Sequence, residues 1–410
     1  MLQRVLLSVL VLALVTLSLR AEVKVTEVEV KPRWPWNGLV DVTYSIECDE
    51  VDDAGKPTNV YVDFTGYDQD RDRTVRMRSL TGDGADAPVH AGGPYAVTWD
   101  AGADEPSINV AAFLVKVHAM AGLGTYMVVD LTTGAVRYSA EAPDPSDDTC
   151  RTTELWLRQI PAGTFTMGSP EDELGRWSDE TQHEVTITQM FYIGVFECTQ
   201  KQYNLITGDN PSYYQGETRP VEQVSYDMIR GTSATAGAGW PSYGHAVDAD
   251  SFFGKLQSLA GLVFDLPTEA EWEYSCRAGT TTALNSGKNL ASTDQDANMA
   301  EVGRCDYNIY DGKGGYSEHT KVGSYLPNAW GLYDMHGNIC EWCLDWYGSY
   351  PASAVEDPAG SSTGSYRVLR GGSCYSIARH CRSAYRVNYF PSDYGCDNFG
   401  FRVACWPLVR

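Results

Sequence analysis

Cysteines have the most varied chemistry of the residues in this chain, because thiolates bind soft metals and thiols form disulfides. The 410 residues include eleven cysteines, and two of these form the motif C-E-W-C at 340–343. A structural zinc site needs two further soft ligands at a matching spacing, and the sequence has no second C-x-x-C. The motif therefore favours a structural role in a tryptophan-containing loop over zinc binding.

A second chemical signal lies in segment 374–399, where a frame of Gly, Ala, Arg, Ser and Cys alternates with positions of different composition. These intervening positions are rich in Tyr, Ser and Asn, which provide adaptable contacts at low entropic cost. The pattern predicts a binding surface for a protein or a cell-surface ligand. The candidate contact residues are Tyr375, Ser376, Ile377, His380, Tyr385, Val387, Asn388, Tyr389, Phe390, Tyr394, Asp397, Asn398 and Phe399.

Short strands joined by long ordered loops are the elements expected to position these residues. Gly and Pro punctuate the region from Asn328 to Arg402 too often for one long helix, and its apolar runs are short. Arginines are expected to hold such loops by donating to carboxylates and loop carbonyls, and tryptophans to supply buried area. These residues are Arg367, Arg370, Arg379, Arg382, Arg386, Arg402, Trp330, Trp342 and Trp346.

Two helices are predicted upstream of this region. Phe252, Phe253, Leu256 and Leu259 recur at helical spacing. The following L-P-T-E-A-E-W-E-Y run opens with Thr268 and has glutamate three residues later, which is the pattern of a capping box.

Several sequence blocks, taken together, resemble the sulfatase-modifying-factor, or formylglycine-generating-enzyme, superfamily. They are IPAGTFTMGSP (160–170), RPVEQVSY (219–226), LPTEAEWEYSCRAGT (266–280), GLYDMHGN (331–338), RVLRGGS (367–373), ARHCRSAYR (378–386) and GFRV (400–403). The resemblance implies an α+β fold, namely a loop-rich C-type-lectin-like domain, which we predict to occupy residues 153–406. Function resides in sites and not in folds, so activity is a separate question.

The resemblance also bears on copper-dependent oxidation. Formylglycine-generating enzymes use two cysteines spaced C-x4-C shortly after the Arg-Gly-Gly-Ser motif, and two thiolates suit Cu(I). Here Cys374 follows Ser373 directly, and Cys381 matches a structural cysteine of the family. The reactive pair has no counterpart, so copper is not expected. A copper-dependent oxidase acting on sulfatase cysteines remains the alternative function.

Cys276 and Cys381 match the positions of a disulfide in the formylglycine-generating enzymes. The resemblance therefore implies that they are paired, which would close a loop of more than 100 residues and stabilise the fold by about 2–5 kcal/mol. Two buried free thiols are the alternative.

Calcium is the metal that the resemblance implies, because short loops offer it oxygen ligands. A first site would use Asp334 and Glu341 with the carbonyls of Gly337 and Ile339. A second would use Asn298 and Met299 with an aspartate near residue 311. Alternatively, Glu341 simply pairs with an arginine.

The candidate contact positions have a further property in common, since none holds Lys, Glu, Gln, Met or Trp. Each of their residues can be encoded by a codon that ends in a pyrimidine, which is what adenine-specific mutagenesis of asparagine codons would leave. Segment 374–399 therefore also resembles the variable region of diversity-generating-retroelement proteins, many of which use a C-type-lectin-like scaffold. Ordinary drift of a tolerant loop is the alternative.

The N-terminal part has a different organisation. Residues 1–21 have a basic residue, an apolar core and a final alanine, which predict a secretory signal peptide. Alternating strands with turn residues between them predict an all-β immunoglobulin- or fibronectin-like sandwich over 22–125. In residues 126–152 a strand or two is followed by a Pro/Asp/Ser passage, and we predict that this stretch is a linker.

Composition limits the possible partners and location. The net charge of −23 argues against nucleic acid, which needs basic patches. No run of about 20 apolar residues follows the leader, so we do not expect a membrane-spanning protein. The sequence thus predicts a secreted, periplasmic or cell-surface protein that binds a ligand without catalysis. A structural role in the cell envelope is a further alternative.

Overall fold

A computed structural model describes residues 23–33, 37–48, 60–71, 73–77, 79–84, 89–104, 107, 109, 113–121, 124–232, 247–308, 318–392 and 396–406. These residues form two compact units, 23–121 and 124–406. The predicted signal peptide lies outside the described residues. None of the helices in the described ranges is long and apolar enough to cross a membrane.

The first unit is almost entirely β-structure. Its elements are β1 (Lys24–Pro32), β2 (Leu39–Glu47), β3 (Val60–Asp68), β4 (Arg73–Arg76), β5 (Leu80–Gly82), β6 (Gly92–Asp100), the short helix α1 (Ala101–Asp104) and β7 (Phe113–Ala121). The strands form two antiparallel sheets, in the orders β1-β2-β6-β5 and β4-β3-β7.

Ring contacts join the two sheets of the first unit. Tyr44 of β2 meets Phe64 of β3 with ring centroids 5.4 Å apart, and Trp99 of β6 stacks on Phe113 of β7 at 4.9 Å. These rings belong to one buried hydrophobic cluster. The unit is therefore built around a single apolar core, while its assignment to the immunoglobulin or fibronectin class stays a prediction.

The second unit combines three sheets with short helices. Its strands are β8 (Tyr126–Asp130), β9 (Val136–Ser139), β10 (Glu154–Ile160), β11 (Gly163–Met167), β12 (His183–Ile187), β13 (Phe191–Gly194), β14 (Phe264–Asp265), β15 (Cys340–Trp346), β16 (Val355–Glu356), β17 (Arg367–Arg370), β18 (Arg386–Tyr389), β19 (Phe399–Gly400) and β20 (Ala404–Cys405). The sheet orders are β14-β20-β13-β10-β8-β9, β11-β12-β16 and β18-β17-β15-β19.

The helices of the second unit are short and mostly capped by side chains. They are α2 (Thr149–Thr152), α3 (Gln200–Thr207), α4 (Tyr226–Arg230), α5 (Phe252–Ala260), α6 (Glu269–Arg277) and α7 (Ala297–Val302), with 3-10 turns at Asp306–Asn308 and Ala378–Cys381. Thr268 and Glu271 form the predicted capping box at the start of α6. Phe252, Phe253 and Leu256 are buried on α5, whereas Leu259 is 36% exposed.

Residues 126–152 are not the linker that the sequence suggested. Their first part supplies β8 and β9, and β8 pairs antiparallel with β10 from Tyr126↔Arg158 to Asp130↔Glu154. The apolar residues of β8 are buried in the six-stranded sheet, so this passage belongs to the second unit. The Pro/Asp/Ser passage that follows leads into α2.

Candidate functional site

Segment 374–399 alternates between buried and solvent-accessible side chains. The frame residues Ala378, Cys381, Arg382, Ser383 and Arg386 are each at most 5% exposed. Among the candidate contact residues, Tyr375, Tyr389 and Phe390 are exposed by 37%, 38% and 48%. Eight more are half-buried: Ser376, Ile377, His380, Tyr385, Val387, Asn388, Asp397 and Asn398. The two classes of position that differ in composition therefore also differ in burial.

Arg370 of β17 anchors the middle of this segment. Its Nη1 donates to the carbonyl oxygens of Ala384 at 3.0 Å and Tyr385 at 2.8 Å. Its Nη2 donates to the Ser383 carbonyl at 2.7 Å and to the Glu273 carboxylate. One fully buried guanidinium thus fixes three successive peptide groups of the segment.

Two frame arginines extend this support as predicted. Arg382 donates to both oxygens of Glu180, at 2.7 and 2.8 Å, and to Glu173 at 2.6 Å. Arg386 makes a bidentate pair with Glu269 at 2.6 and 2.8 Å. Bidentate arginine–carboxylate pairs fix the orientation of the side chain as well as neutralising its charge. The buried side of the segment is therefore held by these two ion pairs.

The second glycine of the Arg-Gly-Gly-Ser motif makes the entry to the segment possible. Gly372 has φ +72°, and a Cβ atom there would lie 2.4 Å from the His380 carbonyl oxygen and 2.8 Å from Cys381 Sγ. Any side chain would force these backbones apart. The turn at His380 and Cys381 therefore packs directly on the glycine backbone.

Tyr375 links the segment to a loop that the sequence analysis did not include. Its hydroxyl donates to the hydroxyl of Tyr214 at 3.0 Å and lies 3.3 Å from Asp397 Oδ2. Tyr214 also meets Tyr213 edge-on, with centroids 4.9 Å apart, and Tyr213 is 67% exposed.

Two further aromatic contacts leave the segment. His380 lies between Trp177, at a centroid distance of 6.2 Å, and Tyr385, at 4.8 Å. Phe390 packs on Tyr366 at 4.5 Å. Trp177, Tyr213 and Tyr214 were missed because they lie far from the segment in sequence, and Tyr366 was missed because it precedes the segment by eight residues. The exposed Tyr-Tyr pair after Asn-Pro-Ser at 210–212 is the one local signal that could have indicated them.

One predicted contact residue is buried in the structure and another is not described. Phe399 is 5% exposed and packs on Trp342 at 5.8 Å and Tyr389 at 4.6 Å. It lies in β19, which pairs with β15, so its ring supports the surface from beneath and does not form it. Tyr394 lies outside the described residues.

The structure does not contain the predicted disulfide between Cys276 and Cys381, since both are buried free thiols. The imidazole of His336 lies between the two residues. Its Nε2 is 3.8 Å from Cys276 Sγ, and its Nδ1 is 2.6 Å from the Cys381 carbonyl oxygen. Cys276 Sγ donates to Ser383 Oγ at 3.6 Å. The arrangement thus agrees with the alternative of two buried thiols.

Cys374 is fully buried, and its amide donates to the Asn338 carbonyl oxygen at 2.9 Å. Burial raises the pKa of both the Cys374 and the Cys381 thiols above the ordinary value. Both thiols are therefore protonated at neutral pH in this fold, whereas nucleophilic attack and metal coordination need the thiolate.

The residues of the predicted first calcium site, namely Asp334, Gly337, Ile339 and Glu341, are buried, and one of the two carboxylates is ion-paired. Glu341 accepts from Arg402 at 2.7 and 2.9 Å and from Trp272 Nε1 at 2.8 Å, so its charge is already paired with the arginine. Asp334 accepts the Gly323 amide through Oδ2, while its buried Oδ1 has no hydrogen-bond partner. Of the two carboxylates, Asp334 is therefore the one with an unpartnered oxygen, and calcium binding at this site stays a prediction.

The predicted second calcium site is described only in part, and it stays a prediction. Asn298 donates its side-chain amide to the Asn289 carbonyl oxygen at 3.0 Å, and the Met299 amide donates to Asp296. The aspartate expected near residue 311 lies outside the described residues. Within the described ranges, no three His, Cys, Asp or Glu side chains are grouped so that they could hold a metal ion.

Known proteins resemble this chain over its second unit. The profile of the sulfatase-modifying factor enzyme 1-like domain matches residues 143–406. The serine/threonine-protein kinase pkn1 of Chlamydia caviae is 31% identical over 254 residues, which cover 60% of this chain and 37% of that protein. The formylglycine-generating enzyme of Streptomyces coelicolor is 39% identical over 152 residues, covering 34% of this chain and 46% of that enzyme. The matched residues thus span less than half of each of these relatives.

A solved structure gives the same picture. Treponema denticola variable protein 1 aligns over 62% of this chain and 96% of its own, with 28% identity and a TM-score of 0.50. The similarity thus extends to a protein whose name describes variation as well as to a named enzyme. Because the domain profile covers well over half of the sequence, the chain belongs to the family of proteins with a sulfatase-modifying factor enzyme 1-like domain.

Proposed function

We propose that this protein binds a protein or cell-surface ligand through the solvent-accessible side chains of segment 374–399, without catalysis. The observation that carries the proposal is the division of the segment by burial. Eleven candidate contact residues are accessible, while most frame residues between them are buried, and the frame arginines Arg382 and Arg386 are ion-paired. Loops held on a rigid scaffold are the usual place for binding residues.

The rest of the proposal concerns context. The protein is exported through its N-terminal leader, and its first unit is an immunoglobulin- or fibronectin-like spacer that carries the binding domain. The similarity to Treponema denticola variable protein 1 supports diversification of the accessible positions. The buried, protonated Cys374 supports loss of the oxidase chemistry found in formylglycine-generating enzymes.

Sequencing the codons of 374–399 in many copies of the gene tests this proposal. Substitutions are expected at the eleven accessible positions, while the buried frame residues stay constant. Equal variation at the frame positions would remove the basis of the proposal, because changes such as Arg382→Ser would leave Glu180 buried without its partner.

The oxidase alternative has its own test. The purified full chain, reduced and loaded with Cu(I), is incubated with a cysteine-containing sulfatase peptide under oxygen. We expect no aldehyde by mass spectrometry. Aldehyde formation that is lost in Cys374→Ser would show that the domain is an enzyme and would overturn the non-catalytic assignment.

A further inference from the structure

We propose that four aromatic residues outside segment 374–399, namely Trp177, Tyr213, Tyr214 and Tyr366, belong to the binding surface and give every ligand a common anchor. We call them the outer aromatic residues. The inference rests on the proposed function, since it extends the same surface. It also narrows the ligand class to a protein surface with apolar and basic side chains.

The first outer contact begins at the loop 210–215. Tyr213 meets Tyr214, and the Tyr214 hydroxyl accepts from Tyr375 of the segment at 3.0 Å. Tyr375 in turn lies 3.3 Å from the carboxylate of Asp397. The outer aromatic residues Tyr213 and Tyr214 thus contact the segment through the side chain of Tyr375.

The contacts continue along the far part of the segment. Phe399, two residues after Asp397, lies beneath Tyr389 at a centroid distance of 4.6 Å. Phe390, which follows Tyr389 in sequence, packs against Tyr366 with ring centroids 4.5 Å apart. Phe390 is 48% exposed and Tyr366 40%, so this pair presents apolar area to solvent.

The remaining outer residue, Trp177, meets the segment just before β18. Side chains alternate along a strand, so Val387 and Tyr389 share one face of β18, while Arg386 points to Glu269 on the other, and Tyr385 immediately precedes the strand. Tyr385 contacts His380, which contacts Trp177. The outer aromatic residues therefore meet the segment at three places: Trp177 at His380, Tyr366 at Phe390, and Tyr214 at Tyr375.

The spread of these contacts indicates a macromolecular ligand. Strand β18 alone, from Arg386 to Tyr389, covers about 10 Å at about 3.3 Å per residue. Small molecules bind preferentially in concave cavities, whereas exposed aromatic residues in clusters mark protein interfaces. Trp177 is 45% exposed and Tyr213 is 67% exposed, so a partner can reach both rings.

Charge favours a neutral or basic partner. The chain has a net charge of −23, and the accessible positions of the segment contribute Asp397 but no lysine. Burial lowers the pKa of His380 and the nearby Arg379 and Arg382 lower it further, so its ring is neutral at physiological pH. Charge complementarity mainly raises association rates, so an acidic partner would be disfavoured at the encounter step.

The test uses random 12-residue peptides displayed on phage and selected on the full wild-type chain. Selected peptides are then synthesised, and their Kd is measured for two pairs of variants. Trp177→Ser and Tyr213→Ser remove outer aromatic residues, while Tyr375→Ser and Tyr389→Ser remove residues of the segment. Leu326→Ser is the matched control, because Leu326 is 63% exposed and makes none of these contacts. Thermal unfolding checks that each variant folds. If Tyr213→Ser does not fold, Tyr213→Phe is used in its place, because it keeps the ring and removes only the hydroxyl.

We expect peptides rich in basic and apolar residues, a loss of at least tenfold in affinity in both pairs of variants, and no change in Leu326→Ser. A loss confined to Tyr375→Ser and Tyr389→Ser would overturn the role of the outer aromatic residues and leave the proposed function intact. Peptides that bind all five variants equally, or no peptides above an unrelated protein, would overturn the proposed function itself. Binding of glycan-array sugars with the same residue dependence would overturn the protein ligand class.

Discussion

Replacing Arg370 with methionine should destabilise the second unit severely while leaving the surface composition of segment 374–399 unchanged. The methionine side chain fills part of the same volume but cannot donate. The variant therefore removes the donors to the carbonyl groups of Ser383, Ala384 and Tyr385 and the ion pair with Glu273. All of these groups lie in the interior, where water does not replace the lost donor.

The expected loss in the free energy of unfolding depends on the hydrogen bonds that Glu273 keeps in the variant. Removing one partner of a buried ion pair costs about 3–5 kcal/mol, because the other charge stays buried. Glu273 keeps two hydrogen bonds from Arg277, at 2.9 and 2.7 Å, and one from the Gly168 amide at 2.8 Å. We therefore expect a loss near the lower end, about 3 kcal/mol, which is still a large part of the roughly 5–15 kcal/mol that stabilises an ordinary domain.

The assay is urea unfolding of the full chain followed by tryptophan fluorescence and far-UV circular dichroism. The two units can unfold separately, so the transition that shifts in Arg370→Met identifies the second unit. Arg379→Met is the control, since Arg379 is half-buried and its main contact is Trp177, 5.4 Å from the guanidinium carbon to the ring centroid. It should cost less than about 1 kcal/mol. A loss below about 1 kcal/mol in Arg370→Met would refute the account of how the segment is held.

Three further predictions concern the same unit. Tyr375→Ser and Phe390→Ser should each change the free energy of unfolding by less than about 1 kcal/mol in the same assay, because both residues are exposed, and a larger loss would place them in the core. Burial and the nearby Glu269 raise the pKa of Asp345 to about 8, so the folded state binds an extra proton between the unfolded pKa, about 4, and pH 8. This contribution to stability is complete below pH 4 and is lost as the pH rises to 8. Asp345→Asn should therefore lower the free energy of unfolding less at pH 8 than at pH 5. Equal losses at the two pH values would contradict the raised pKa of Asp345. If calcium binds at Asp334, EDTA lowers the melting temperature of the wild type but not that of Asp334→Asn, whereas an unchanged wild-type value rules out the predicted site.

The sequence predicted local features well because their causes are local. The capping box at Thr268 needs only residues three positions apart, and the frame arginines could be recognised by type before their carboxylates were known. The composition of segment 374–399 likewise separated positions that the structure shows to differ in burial. In each case the signal lies within a few residues.

Features that depend on distant residues were missed or assigned wrongly. Tyr214 and Tyr366 join the surface through contacts with residues 161 and 24 positions away in sequence. Phe399 looked like a contact residue until its strand was seen beside β15. A strand was visible at 126–130, but its partner β10 was not, so two strands of a sheet were assigned to a linker. Glu341 had two possible partners, and the position of Arg402 shows which one it contacts.

The central claim is that a buried frame holds accessible side chains available for ligands. It is tested most directly by two libraries displayed on yeast, one randomised at the eleven accessible positions of segment 374–399 and one at its buried frame positions. Folded fraction is measured by resistance to protease, and binding by selection on hen lysozyme, a basic folded protein. The account predicts that most clones of the first library fold and that some bind lysozyme, while most of the second unfold. Equal unfolding in both libraries, or no binders among folded clones of the first, would contradict it.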